Sequence, residues 1–250
     1  ARLAEQMLML APRSPALAIA LERALFDARD LPQAVRSERV RGAIADLADA
    51  FSAAGADTSV RVVVLTGSGQ KAFVAGADIS EFASLPPADA LRFSRAGQQM
   101  MRGVERLGKP VIAELNGFAL GGGLEIAMSC TLRIAADTAK LGQPEINLGV
   151  MPGFGGTQRL LRLAGRGAAL ELCLLGHNIT AQRAFELGIV TRVVPAADLR
   201  AETDKLAAQL AASAPHALRG IIDAVVLGGD APIDIGLDYE SQGFAVCVST

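Results

Sequence analysis

The sequence predicts an α/β protein with one large spiral-like core and a helical C-terminal region. Three observations carry this prediction. Short β-branched runs that stop at glycine or proline recur, each followed by a turn and by apolar residues at helical spacing. No low-complexity linker divides the 250 residues, which suffice for one large core with a small appendage. From Asp198 onward the pattern is helical. The expected division is therefore a core over 1–195 and a helical region over 196–250.

The elements follow in order. "RVVVLTG", residues 61–67, is a β-branched run ending in glycine and reads as a buried strand. In the next stretch, "FVAGADISEF", Asp78 with Glu81 three residues on makes a capping-box-like helix start. A helix is expected over 88–107. "KPVIAELNG" supplies the next strand, since Pro110 is tolerated only at a strand's beginning. In "NGFALGGGLEIAMSC", residues 116–130, the glycine triplet opens a helix that runs to about Ser129, and "LRIAA" makes another short strand. "GGTQRLLRLAG" and "GAALELCLLG" read as two helices separated by Gly165 and Gly167. "AQRAFELG" is a third, closed by Gly188, and "IVTRVV" is a strand stopped by Pro195.

Composition narrows the function. A formal net charge of −2 offers no basic field for nucleic acid and no polybasic membrane patch. No apolar run is long enough to span a bilayer, and Glu5, Pro12, Arg13, Pro15 and Glu22 make the N-terminal apolar stretch a poor signal peptide. Cys130, Cys173 and Cys247 are odd in number and widely spaced. They suggest neither a disulfide framework nor a metal site, so a reducing compartment is expected, the cytoplasm first and the mitochondrial matrix as the other compatible place. His177 and His216 have no sequence-near partner and read as structural or surface residues.

The chemistry concentrates in two glycine-rich stretches. Glu125 follows the triplet Gly121–Gly123, and Glu145 lies in "LGQPEINLGVMPGFGGTQRL", twenty positions on, where Gly149, Gly153, Gly155 and Gly156 crowd the approach to a helix. One carboxyl that holds its proton and one that gives it up can deliver a proton and activate a water on one substrate, provided their environments differ. Glycine-rich backbone adds amide N–H groups able to stabilise charge developing on an oxygen. From the triplet alone, a turn followed by an acid favourable to the helix dipole explains the pattern equally well.

The blocks "KAFVAGADISEF", "NGFALGGGLEIAMSC", "GQPEINLGVMPGFGGTQRL" and "TAQRAFELGIVTRVVP" occur in the order and spacing of the enoyl-CoA hydratase/isomerase (crotonase) family, which the chain resembles from about residue 60 onward. That resemblance implies a crotonase-like spiral of repeated ββα units, assembled as trimers or hexamers. It implies an acyl-CoA thioester substrate, with coenzyme A arriving as part of the substrate, no permanently bound cofactor and no metal. By the same resemblance, the amides of Ala77 and Gly122 form an oxyanion hole for the thioester carbonyl. Glutamate at both positions resembles the hydratases, in which Glu125 would activate water for attack on C3 and Glu145 would protonate C2. The amide of Gly153 would help hold the water or the acid. Asp78, Ile79 and Ser80 fall at the family's CoA and acyl entrance, Lys71 where a basic residue meets CoA phosphates, and Ala75 near the adenine.

Residues 1–43 depart from the family pattern, which normally begins with a strand pair and an Asn-Arg-Pro turn and which also continues beyond "FAVCVST". Three rival readings are open to the sequence. Gly67, Gly69 and Ala72 satisfy G-x-G-x-x-A, a dinucleotide fingerprint, although "FVAGAD" and not a helix follows. The chain also suits an isomerase or another enolate-forming relative, or a non-catalytic scaffold or RNA binder of the same family.

Overall fold

The structure, a computed structural model, describes residues 16–21, 33–69, 71–74 and 85–249, with side chains from residue 42 onward. Strand β1 (Ala16–Leu21) and helix α1 (Gln33–Ala56) come first. The chain then repeats one operation: a strand in one sheet, a short strand in a second sheet, and a helix. β2 (Val62–Gly67), β3 (Ala72–Val74) and α2 (Pro87–Glu105) form one such turn, and β4 (Val111–Leu115), β5 (Phe118–Leu120) and α3 (Gly122–Ser129) the next. β6 (Leu132–Ala136) and β7 (Lys140–Gly142) lead through a 3-10 helix (Pro144–Leu148) to α4 (Gly156–Leu175). β8 (Ile179–Thr180), α5 (Ala181–Glu186) and β9 (Arg192–Val194) close the spiral, and α6 (Leu199–Ala211), α7 (Pro215–Asp223), a π-helical turn (Ala224–Gly228) and α8 (Ile233–Val248) follow.

The larger sheet has the order β1-β2-β4-β6-β9, with every pair parallel. The smaller has the order β3-β5-β7-β8, parallel except for the β7–β8 pair. A parallel sheet is covered on both faces, so its strands read as unbroken apolar runs. All five residues of β4 are buried, as are Val62 to Leu65 of β2. Helix α2 starts at Pro87, where a missing N–H costs nothing, and buries the stripe Gly97, Met100, Met101 and Val104.

Several expectations meet the structure differently. The strands β3, β5 and β7 are three residues each, too short to carry a readable period. Two helical runs make up α4 and part at Gly165 (φ 79°, ψ 169°), as expected from the sequence, while Gly167 lies inside the second run and takes no part in the break. The dinucleotide reading fails because the chain passes from Gly67 through Gly69 into strand β3 and opens no helix there. Gly188 does close α5, just past the cap residue Leu187, at φ 76°. Asp78 and Glu81, the expected helix cap, lie outside the described residues. Among the described residues no single helix is long and apolar enough to cross a membrane, and no cluster of His, Cys, Asp and Glu could hold a metal ion.

Candidate active site

The glycine triplet sits where β5 turns into α3. Gly121 adopts φ 55° and ψ −125°, a backbone region that side chains avoid, and its amide donates to the Gly142 carbonyl of β7 at 2.9 Å. The helix thus begins at the middle glycine. Gly123 lies against β3: an added Cβ would fall 1.9 Å from the Val74 carbonyl oxygen. Gly122 is the first helical residue, and its amide has no hydrogen-bond partner among the described residues. That open donor sits at the positive end of α3.

Glu125 lies in the first turn of the same helix and is 1% exposed. Its Oε1 accepts the backbone amides of Phe154 at 2.8 Å and Gly156 at 2.7 Å. Its Oε2 accepts nothing among the described residues and lies 4.0 Å from where a Gly122 Cβ would stand. Glu145 lies in the 3-10 helix that Pro144 starts and Gly149, at φ 72°, ends. Its Oε1 lies 3.0 Å from the position of a Gly121 Cβ. The two acids therefore converge on adjacent glycines, Glu145 on Gly121 and Glu125 on Gly122.

Their environments differ. Burial raises the pKa of Glu125, but the amides of Gly156 and Phe154 and the Arg159 guanidinium oppose that rise by favouring its charge. Burial pushes Glu145 up to about 7, its own amide opposes this, and the nearby charge of Glu125 adds to it. Gln143, fully buried, turns its NH2 toward Glu145, the orientation that satisfies both ends of the carboxamide, and donates to Oε1 at 2.8 Å and Oε2 at 3.0 Å. Burial thus brings Glu145 to about 7 against the N–H donors of Gln143, while the backbone amides and the Arg159 cation favour the ionised form of Glu125 against its own burial.

The other expected residues distribute unevenly. Lys71 is exposed beside β3, and its carbonyl accepts the Phe118 amide at 3.2 Å. Gly153 offers its carbonyl to Ser94 Oγ at 2.5 Å and to Gln98 Nε2 at 3.0 Å, and its amide is unpartnered among the described residues. The amides that hold Glu125 come from the next turn, Phe154 and Gly156, and not from Gly153. Ala75, Ala77, Asp78, Ile79 and Ser80 lie outside the described residues. Gln143 and Arg159 escaped the sequence reading although both lie in quoted blocks. The one signal for Gln143 is a polar residue two positions before Glu145 at the end of a buried strand.

Two buried carboxyl groups held by different donors, beside an open helix-end amide on an α/β spiral, could serve acid–base chemistry. The chain belongs to the enoyl-CoA hydratase/isomerase family, whose model matches residues 40–247. It is 46% identical over 194 residues to a short-chain-enoyl-CoA hydratase of Clostridium acetobutylicum, covering 78% of this chain and 74% of that protein. It is 44% identical over 205 residues to a crotonyl-CoA hydratase of Syntrophomonas wolfei, covering 82% and 79%. The solved enoyl-CoA hydratase of Thermoplasma volcanium superposes with a TM-score of 0.85 at 36% identity, over 98% of this chain and 94% of that one. A Bacillus anthracis enoyl-CoA hydratase gives 0.83 at 37% identity, over 96% and 90%. The expected crotonase-like fold is the fold observed.

Proposed function

We propose that this protein hydrates trans-2-enoyl-CoA thioesters to 3-hydroxyacyl-CoA, with Glu125 and Glu145 as its acid–base pair. Family membership and relatives at 44–46% identity support an enzyme of the enoyl-CoA hydratase type. The observation that carries the finer reading is the convergence of the two acids on Gly121 and Gly122, one held by backbone amides and the other by a side-chain carboxamide.

In this mechanism Glu125 takes a proton from water as the water oxygen bonds to C3. Electron density moves through C2 into the thioester carbonyl, whose oxygen accepts the Gly122 amide, with the Ala77 amide as second donor. Glu145 then gives its proton to C2. One turnover leaves Glu125 protonated and Glu145 ionised, and exchange with solvent restores the pair. Coenzyme A enters and leaves with the acyl group, its phosphates meeting Lys71, and no resident cofactor takes part. A homotrimeric or hexameric assembly belongs to the same reading. It is supported by the apolar side chains that α4 and α8 leave exposed, among them Leu174, Leu175, Ile233 and Phe244.

Hydration consumes the conjugated enoyl chromophore, so the reading is tested by following its absorbance with crotonyl-CoA and identifying the product. Formation of 3-hydroxybutyryl-CoA supports it. Formation of a shifted double bond from a longer enoyl-CoA, without hydration of crotonyl-CoA, favours the isomerase reading instead.

A further inference from the structure

Glu125 does not hold its two amides unaided. The turn that presents them, Phe154 to Gly156, contains Gly155 at φ 108° and leads directly into α4. Arg159, one turn into that helix, donates through Nη1 to the Phe154 carbonyl at 2.7 Å. Its Nε donates to Glu105 Oε1 at 2.6 Å, and both side chains are nearly buried, 11% and 13% exposed. Glu105 is the last residue of α2, and its other oxygen accepts from Arg102 at 3.1 Å. The guanidinium fork thus ties three elements together: the end of α2, the start of α4 and the turn that grips Glu125.

We propose that the Arg159–Glu105 pair is a positioning device for the reaction: through the Phe154 carbonyl it sets the turn whose amides hold the Glu125 carboxylate. The proposal rests on Glu125 being the water-activating base. A buried ion pair is in general weak evidence for stability, since apolar replacements of similar volume are often neutral or better. This pair does something an apolar pair could not do, because a carbonyl in a tight turn needs a donor and Glu125 responds to the cation's field. Phe154 belongs to both ends of the relay, with its carbonyl on Arg159 and its amide on Glu125. Lysine cannot replace the arginine in full, because a single ammonium lacks the fork that reaches two separate acceptors.

The groups facing Glu125 among the described residues decide how its titration responds. From α4 come Arg159 and Cys173, from the 3-10 helix Glu145, and from α2 Glu105 through Arg159. β3 and β5, also packed on α3, bring no titratable side chain. The Arg159 cation lowers the pKa of Glu125, so its loss moves that pKa upward. The base must be ionised to act, so the acid limb of the rate profile then moves to higher pH.

The test is hydration of crotonyl-CoA by wild type, Arg159→Met, Arg159→Lys and Glu125→Gln, measuring kcat and KM against pH alongside thermal melts. Arg159→Met is expected to lose about tenfold to a hundredfold in kcat, with KM little changed and the acid limb displaced upward. Arg159→Lys is expected to keep the wild-type acid limb, since its charge remains, and to recover only part of kcat. A folded Arg159→Met enzyme with wild-type kcat and an unmoved acid limb overturns the proposal. If Arg159→Met does not fold, Arg159→Lys decides: reduced kcat at unchanged KM supports the proposal, and wild-type kcat overturns it. A wild type inactive on crotonyl-CoA, or a fully active Glu125→Gln, overturns the functional reading itself, an outcome distinct from an active wild type whose Arg159 variants behave normally.

Discussion

Gly121 and Glu145 meet: a Cβ on the glycine would stand 3.0 Å from Oε1 of the acid. The first glycine of the triplet is therefore held from two sides, by its positive φ of 55° and by the carboxyl group beside it. Alanine at this position would be strained in the backbone and would push Glu145 away. Gly121→Ala is expected to lose on the order of 1–3 kcal/mol of stability and to lose hydratase activity beyond what unfolding explains. Urea titration with kcat at a temperature where the variant is folded checks both.

The middle glycine gives a sharper comparison. Gly122 is the first helical residue, a place where proline is tolerated, and an alanine Cβ there would make only ordinary contact, 3.5 Å from the Phe154 ring. Both Gly122→Ala and Gly122→Pro should fold, but only alanine keeps the N–H. If that amide serves the thioester oxygen, Gly122→Pro falls about 10²–10³ in kcat below Gly122→Ala. Equal rates in the two variants would remove Gly122 from the oxyanion hole.

The titration of Glu145 makes a stability prediction with a definite sign. Its carboxyl rises from the ordinary 4.5 to about 7 in the folded protein, chiefly through burial. Below pH 4.5 both folded and unfolded states are protonated, and the buried neutral acid costs nothing extra. Between about 4.5 and 7 the unfolded chain releases the proton that the folded one keeps, so stability falls as pH rises, and above 7 the loss is complete. Glu145→Gln removes this loss. Relative to wild type it should gain on the order of 2–3 kcal/mol between pH 4.5 and pH 8, measured by urea unfolding at both. An equal difference at the two pH values would contradict the assignment.

The same group shapes the rate. An acid that delivers its proton must carry it, so kcat/KM for crotonyl-CoA should decline as pH rises through about 7. In Glu145→Gln that decline should vanish along with most of the activity. A wild-type profile flat from pH 6 to about 9 would show that proton delivery comes from elsewhere.

Much of this site was legible in the sequence because its signals are local. Glu125 follows three glycines, Glu145 follows a proline, and long runs such as "RVVVLTG" and "KPVIAEL" declare buried parallel strands. What could not be read depends on contacts between distant residues or on elements too short for a period. The three-residue strands of the second sheet exist because each pairs with a neighbour one spiral turn away, as Ala119 does with Leu141. Arg159 reaches Glu105 across 54 positions, and no local pattern announces that pairing. Gln143 reads as one polar residue at a strand end until the fold turns its carboxamide onto Glu145. The break in α4, by contrast, is legible for a local reason, since Gly165 at φ 79° interrupts the helix there.

The most direct test measures crotonyl-CoA hydration by wild type, Glu125→Gln, Glu145→Gln and the double variant under one set of conditions. Two groups acting in one proton-transfer step predict that each single change costs about 10²–10⁴ in kcat and that the double variant is little worse than the poorer single. Full activity in either single variant, with the protein folded, would contradict the pairing of these two acids.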